Sequence, residues 1–326
     1  MLGSRLAFVV ALAFVVLAVS CGGDGERPVD AAALCAATPE VAGWINSDQL
    51  VEISGLASSR RNEGVIWAHN DSGDSARVFA LGPYGNHVQT YTLTGAEAID
   101  WEDMAIGPGP DEDLDYLYLA DIGDNAMQRD EVQVYRVPEP EVNTQADTPT
   151  ADSPLEEVEI LTLVYPDGPH DAETLLVDPV GGELIIVTKE LAGGPSFVFR
   201  APGPLAGGSS TTLEQIDEID FAALTSTVQI PDDAPGLVRG LPNLPTGGDV
   251  SPDGSLVIIR TYGSAWVWRR PEHTSLWSVF QRPPCEAPSS MEPQGEAIAF
   301  DADGRGYVTI SESDGSVLPV NHFLAR

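Results

Sequence analysis

Basic residues are scarce in this chain: 16 lysines and arginines stand against 50 aspartates and glutamates in 326 residues, a formal charge of −34. Nucleic acid and anionic lipid surfaces both demand a cationic patch, so neither is expected as a partner. Histidine is rare, with five copies, and cysteine rarer, with three. The usual catalytic templates are missing as well. There is no Gly-x-Ser-x-Gly elbow, no His-Glu-x-x-His and no phosphate-cradling glycine loop. Long apolar runs are absent but for one, Leu6 to Val19. Its 14 residues are too few for a membrane span and suit the core of a signal peptide.

That run follows Arg5 and stops at Ser20-Cys21-Gly22-Gly23. The ending Ala18-Val19-Ser20-Cys21 resembles a bacterial lipobox, with Ala where Leu is commonest, in which the cysteine becomes the lipidated first residue. We therefore expect a signal peptide over 1–20, lipidation at Cys21, and a flexible tether over 21–43 rich in Gly, Asp, Pro and Ala. The protein would then be anchored by lipid to the extracytoplasmic face of a bacterial cell membrane. Ordinary cleavage would instead leave it periplasmic or secreted. In either compartment Cys35 and Cys285 most simply pair with each other, which pins the N-terminal segment beside the last repeat.

Residues 44–326 read as a repeated sentence of acidic anchor, short apolar strand, turn, apolar strand and polar exit. It is clearest from Gln294 to Glu312 and recurs from Gly248, Ala172, Trp101 and, most degenerately, Ile53. Aligning Gly55, Asp103, Glu173, Asp249 and Glu296 gives spacings of 48, 70, 76 and 47 residues. Several short strands per unit at that period predict an all-β fold, a β-propeller of five four-stranded blades. The two long intervals hold Pro138–Pro154 and Phe221–Pro245, which do not carry the repeat, and no room remains for a sixth blade. Thr212–Ile216 and Ser275–Phe280 are expected as the outer strands of blades 3 and 4. Blade 5 lacks an outer strand, while Trp44–Val51 has no partner in its own blade. Closing the ring with that N-terminal strand solves both and removes an open sheet edge.

The anchor acids Asp103, Glu173, Asp249 and Glu296 stand at the start of the innermost strands and are expected to converge on the axial channel. Glu52 and Glu102 are further members of this set. Asp71 and Asp121 follow second strands, on loops able to hold a hard cation, and Lys189, Arg260, Tyr262 and Glu312 leave second strands at comparable positions. Capping of backbone groups explains one or two such acids, but less naturally four. Their repulsion calls for a divalent cation, for salt bridges to Lys189 and Arg260, or for protonation. An oxygen-only ligand set favours Ca²⁺ over zinc. The Asp253-Gly254 and Asp303-Gly304 pairs read as hairpin turns. His69 and His170 read as structural hydrogen-bonding residues.

Glu52-Ile53-Ser54-Gly55-Leu56, together with five repeats in an exported acidic chain, resembles the SdiA-regulated domain family. These are phytase-like five-bladed propellers that include calcium-responsive periplasmic proteins, and the likeness spans roughly 54–324. More broadly, the anchors resemble those of phytase-like and esterase-like propellers, whose channel acids bind calcium. The resemblance implies Ca²⁺ at the channel mouth. The basic phosphate-gripping set of the phytases is matched at most by Lys189 and Arg260. Two readings follow. One is a monomeric lipoprotein propeller that binds a small molecule or a protein at a cation-organised mouth. The other is a calcium-assisted hydrolase of a phosphoester, ester or lactone. The anchor is tested by Cys21→Ser, which is expected to leave the membrane fraction and lose the mass of the lipid. A variant that stays membrane-bound with unchanged mass refutes it.

Overall fold

Short runs of β-branched and aromatic residues punctuated by Gly, Asp and Pro form five small antiparallel sheets, one per repeat, set as the blades of a propeller. The computed structural model describes residues 29–144, 152–203, 205–224, 226–227, 240–290, 292–312 and 317–325. The expected signal peptide, Cys21 and the first part of the tether lie outside them. From the axis outward, blade 1 comprises Ile53–Ser58, Ile66–Asn70, Arg77–Leu81 and His87–Leu93. Blade 2 comprises Trp101–Pro108, Asp115–Asp121, Val132–Pro138 and Glu159–Val164. Blade 3 comprises Ala172–Val177, Leu184–Thr188, Ser196–Ala201 and Glu214–Ile219. Blade 4 comprises Pro245–Val250, Leu256–Thr261, Ala265–Arg269 and Cys285–Ala287, and blade 5 comprises Gly295–Phe300, Gly306–Ser311, Pro319–Leu324 and Thr38–Trp44.

The innermost strands are buried along nearly their whole length, whereas Thr38–Trp44 is largely exposed. Five strands crowding one axis leave little room for side chains. A Cβ on Gly248 would sit 2.8 Å from the Ile258 carbonyl and 2.9 Å from Thr174 Cγ2. The apolar core is divided to match, with one cluster at each blade–blade contact. Trp67, Trp101 and Tyr135 fill the contact between blades 1 and 2, and Leu176, Val257 and Trp268 that between blades 3 and 4. Gly254 and Gly304 adopt φ of 71° and 69°, the left-handed conformation that the hairpin turns require.

The ring closes as expected, though with a different segment. Thr38–Trp44 pairs antiparallel with Pro319–Leu324, Thr38 opposite Leu324 and Trp44 opposite Pro319. The expected strand Trp44–Val51 is instead the link into blade 1. Its Ile45 and Leu50 are buried between blades 5 and 1, and Asn46 Oδ1 accepts the His87 N–H at 3.0 Å. Much of the expected tether over 21–43 is therefore regular structure, as part of Thr38–Trp44 already shows. A turn of helix at Ala31–Leu34 buries Leu34 against blades 4 and 5. The physical reason is the Cys35–Cys285 disulfide (Cα–Cα 6.1 Å), which fixes the chain three residues ahead of the closing strand.

Two outer strands also differ from expectation. Ser275–Phe280 is a 3-10 helix, Leu276–Gln281, because its buried residues Leu276 and Val279 fall three apart, one helical turn, instead of alternating. Cys285–Ala287 completes blade 4 in its place. The expected strand Thr212–Ile216 is split. Ser210–Thr212 lies parallel to the outer strand of blade 2, and Glu214–Ile219 completes blade 3. Ser153–Leu155 likewise lies parallel to the outer strand of blade 1. The links between the third and fourth strands of blades 2 and 3 thus strap the exposed edges of the preceding blades. The disulfide closes a loop of 250 residues. Chain entropy sets an upper limit of about 5 kcal/mol on its contribution, so Cys35→Ser is expected to melt several degrees below wild type. Identical melting curves refute a stabilising role.

Candidate functional site

Each innermost strand carries a β-bulge near its start, and the register shifts fall at equivalent places: Ile53/Gly55, Trp101/Asp103, Ala172/Thr174, Pro245/Gly247 and Gly295/Ala297. The bulged residues are Ser54, Glu102, Glu173, Thr246 and Glu296. A bulge re-aims its side chain. The inner strands run away from the channel mouth and the second strands return to it. The links before the former and the loops after the latter therefore share one end of the channel.

Three blades place glutamates at the bulge, and seven carboxylates gather there among the described residues. They form three overlapping groups: Asp71, Glu296 and Glu312; Asp71, Asp100 and Glu102; Glu102, Asp171 and Glu173. Within each group the ligand oxygens lie within 4.8 Å of one another. Glu102 and Asp71 each belong to two groups, so the acids run as an unbroken arc from blade 5 through blades 1 and 2 to blade 3. Lys189 and Tyr262 close the arc across blade 4. The Lys189 ammonium donates to Glu173 Oε1 and to the Tyr262 hydroxyl at 3.1 Å, and that hydroxyl donates to Glu296 Oε1 at 3.0 Å. Lys189 is the only lysine in the sequence; the other 15 basic residues are arginines.

The loop of blade 2 is built to hold two of these acids. Asp121, wholly buried, accepts the Asp100 N–H at 3.1 Å and pairs with Arg129 at 2.8 Å. Asp124 folds the loop onto its own backbone through the Gln128 and Arg129 N–H groups, and its N–H reaches Asp171 Oδ1 at 2.9 Å. Gly123 admits the close approach. A Cβ there would lie 2.1 Å from Glu102 Oε1 and 2.6 Å from the Asp100 carboxylate.

The four anchors aligned from the sequence do not form one cluster. Glu173 and Glu296 belong to the arc, but Asp103 and Asp249 lie deeper. Asp103 accepts the N–H groups of Met104 (2.9 Å), Leu175 (2.9 Å) and Gly248 (3.1 Å), and Asp249 those of Val250 (2.7 Å) and Phe300 (2.8 Å). Both are inter-blade staples, with their oxygens engaged by backbone. Arg260 also turns away from the arc, to Glu292 at 2.9 Å and the Ala297 carbonyl at 3.1 Å. Glu52 sits exposed on the rim, its carbonyl accepting the Asp71 N–H at 2.7 Å. His69 is fully buried, its Nδ1 on the Asn70 carbonyl at 2.9 Å. His170 packs among Tyr165, Phe197 and Phe199. Asp100 and Asp171 were not singled out from the sequence. The signal that finds them is the repeated triplet Asp100-x-Glu102, Asp171-x-Glu173 and Gln294-x-Glu296.

Crowding under burial dominates the electrostatics. Glu102 is 3% exposed, and neither of its oxygens has a hydrogen bond or ion pair among the described residues. Asp171 Oδ2, Glu173 Oε2 and Glu296 Oε2 are buried without partners. Burial raises the Glu102 carboxyl well above the usual range, and Glu173, Asp71 and Asp100 add to the rise. Burial, with Glu296, Asp100 and Glu52 nearby, lifts Asp71 to about 6, and burial with Glu296 beside it lifts Glu312 to about 9. Glu173 reaches about 8 by burial, against the pull of Lys189. Burial also works against the Lys189 ammonium, but Glu173 and Tyr262 outweigh it and raise Lys189.

No family model matches the chain, and no curated protein matches it. Among solved structures, Kuenenia stuttgartiensis hydrazine synthase aligns at 11% identity with a TM-score of 0.40, over 84% of this chain and 96% of that one. At that identity the alignment assigns no chemistry to the mouth.

Raised carboxyl values have a definite sign. The folded chain binds more protons than the unfolded chain between the ordinary values near 4 and the folded ones, about 7 for Asp249, 8 for Glu173 and 9 for Glu312. Stability without divalent cations therefore falls as pH rises through that window. Melting in EDTA is expected to be higher at about pH 6.5 than at about pH 9. The opposite order refutes the crowding.

Proposed function

We propose that this chain is a lipid-anchored, extracytoplasmic propeller whose channel mouth binds a divalent cation, Ca²⁺ by its ligand chemistry, and through it a small-molecule or protein ligand. The observation that carries the reading is the innermost acid group, in which Asp171 Oδ2 and Glu173 Oε2 are buried without partners beside the Glu102 carboxylate. Two carboxylates ~5 Å apart repel by roughly 3 kcal/mol at an effective dielectric of ~20. Several such pairs stand against a net folding stability of about 5–15 kcal/mol. One lysine does not neutralise seven acids, so either protons or a cation must.

The geometry suits a cation. Calcium holds oxygens at about 2.3–2.6 Å, so oxygens on opposite sides of one ion lie about 5 Å apart. Those of Glu102, Asp171 and Glu173 lie within 4.8 Å. Ligands from separate blades suit the larger, more tolerant ion better than Mg²⁺, and the acid groups contain no nitrogen or sulfur donor among the described residues, which disfavours zinc. A hydrolase needs, besides the metal, groups to grip substrate. Arg260 is engaged with Glu292 and leaves Lys189 alone for that task, which favours binding over turnover.

EDTA is expected to lower the melting temperature and calcium to restore it, and Glu102→Gln with Glu173→Gln to make the protein indifferent to both. Asp249→Asn is expected to destabilise while leaving the calcium response intact. A wild-type melting curve unmoved by chelator, with no metal by mass spectrometry, overturns the reading.

A further inference from the structure

Fifteen of the sixteen basic residues are arginine, and the exception is buried in the mouth. Lys189 is 8% exposed, and its backbone N–H is held by the Asp171 carbonyl at 2.9 Å, which ties the residue to one of the acids of the innermost group. Its ammonium stands between two acid groups. On one side is Glu173, whose Oε1 it engages and whose Oε2 is buried without a partner. On the other is Tyr262, at 3.1 Å, whose hydroxyl leads to Glu296, again with a buried unpartnered Oε2. The ammonium also lies 5.2 Å from the centre of the Tyr262 ring, a second attraction that does not depend on Glu173.

An arginine here would grip a carboxylate with a rigid two-pronged fork. An ammonium on a four-carbon stem is a point charge with three rotatable donors and can change partner without moving its backbone. A divalent ion seated among Glu102, Asp171 and Glu173 uses the carboxylate that Lys189 now holds. Like charges repel, and a dication beside an ammonium does so twice as strongly as two monovalent ions at the same distance.

We propose that Lys189 is a resident, displaceable counter-ion. It occupies Glu173 when no divalent cation is bound, and a cation entering the Glu102, Asp171 and Glu173 group drives it toward Tyr262 and Glu296. The proposal rests on the cation reading above and adds its regulation. By competing for Glu173, Lys189 weakens the site, so the mouth empties and fills with changes in cation concentration and is not permanently loaded. Tyr262 keeps the released ammonium within reach for the return.

The test compares calcium titrations of the full-length wild type and Lys189→Met by calorimetry. Removing the competitor is expected to tighten calcium binding by at least about tenfold. Equal or weaker binding by Lys189→Met overturns the proposal while leaving the cation reading in place. Failure of both proteins to bind calcium overturns the cation reading and the proposal with it. Should Lys189→Met not fold, the wild type decides. Protein labelled with ¹³C at lysine Cε carries a single lysine signal, which is expected to shift on adding calcium and to saturate with the calorimetric curve. A signal unmoved by saturating calcium overturns the displacement.

Discussion

The carboxylate of Asp103 gathers three blades onto one point. Backbone N–H groups of inner strands in blades 2, 3 and 4 face the axis, where no neighbouring strand can accept them, and Asp103 accepts one from each. Asp249 repeats the device between blades 4 and 5. The Ser54 hydroxyl donates to the Glu102 carbonyl and the Thr246 hydroxyl to the Gly295 carbonyl, so two bulge residues without carboxylates tie their blade to the next. A buried backbone group left unpaired costs about 1–3 kcal/mol. The polar residues of the deep channel are thus structural, and they hold rigid the frame on which the mouth is built.

One residue further toward the mouth, the same chemistry has the opposite consequence. Asp103 is saturated with donors, whereas Glu102, its neighbour in the chain, has none among the described residues. Adjacent residues of a strand point to opposite sides unless a bulge intervenes, and the bulge at Glu102 sends one acid into the backbone frame and the next into the arc. The mouth departs from what stability alone would select. Seven acids with one ammonium are tolerated because the surrounding blades determine their positions, and such local conflict is where function is most often found.

The periphery solves a separate problem, the exposed edges of five small sheets. Insertions from blades 2 and 3 lie along the edges of the blades before them, a disulfide clamps the short outer strand of blade 4, and the N-terminal strand completes blade 5.

The sequence by itself determined the number of blades, the disulfide and the principle of closure. Apolar runs at a fixed period and an even pair of cysteines report strand number and crosslinking through local chemistry alone. It also located the acids to within one or two residues, since Glu102, Glu173, Glu296, Asp71, Glu312 and Lys189 were all legible as channel candidates. Which of them share a site was decided only by the tertiary structure. A bulge shifts register by one residue without any mark in composition, so Asp103 and Glu102 look interchangeable until the pairing of Trp101 with Asp121 and of Asp103 with Ala120 is known. The same holds for Thr38–Trp44 against Trp44–Val51. Both segments suit an edge strand, and the choice rests on which of them reaches Pro319–Leu324 at the far end of the chain to complete its backbone pairing, which no local pattern encodes.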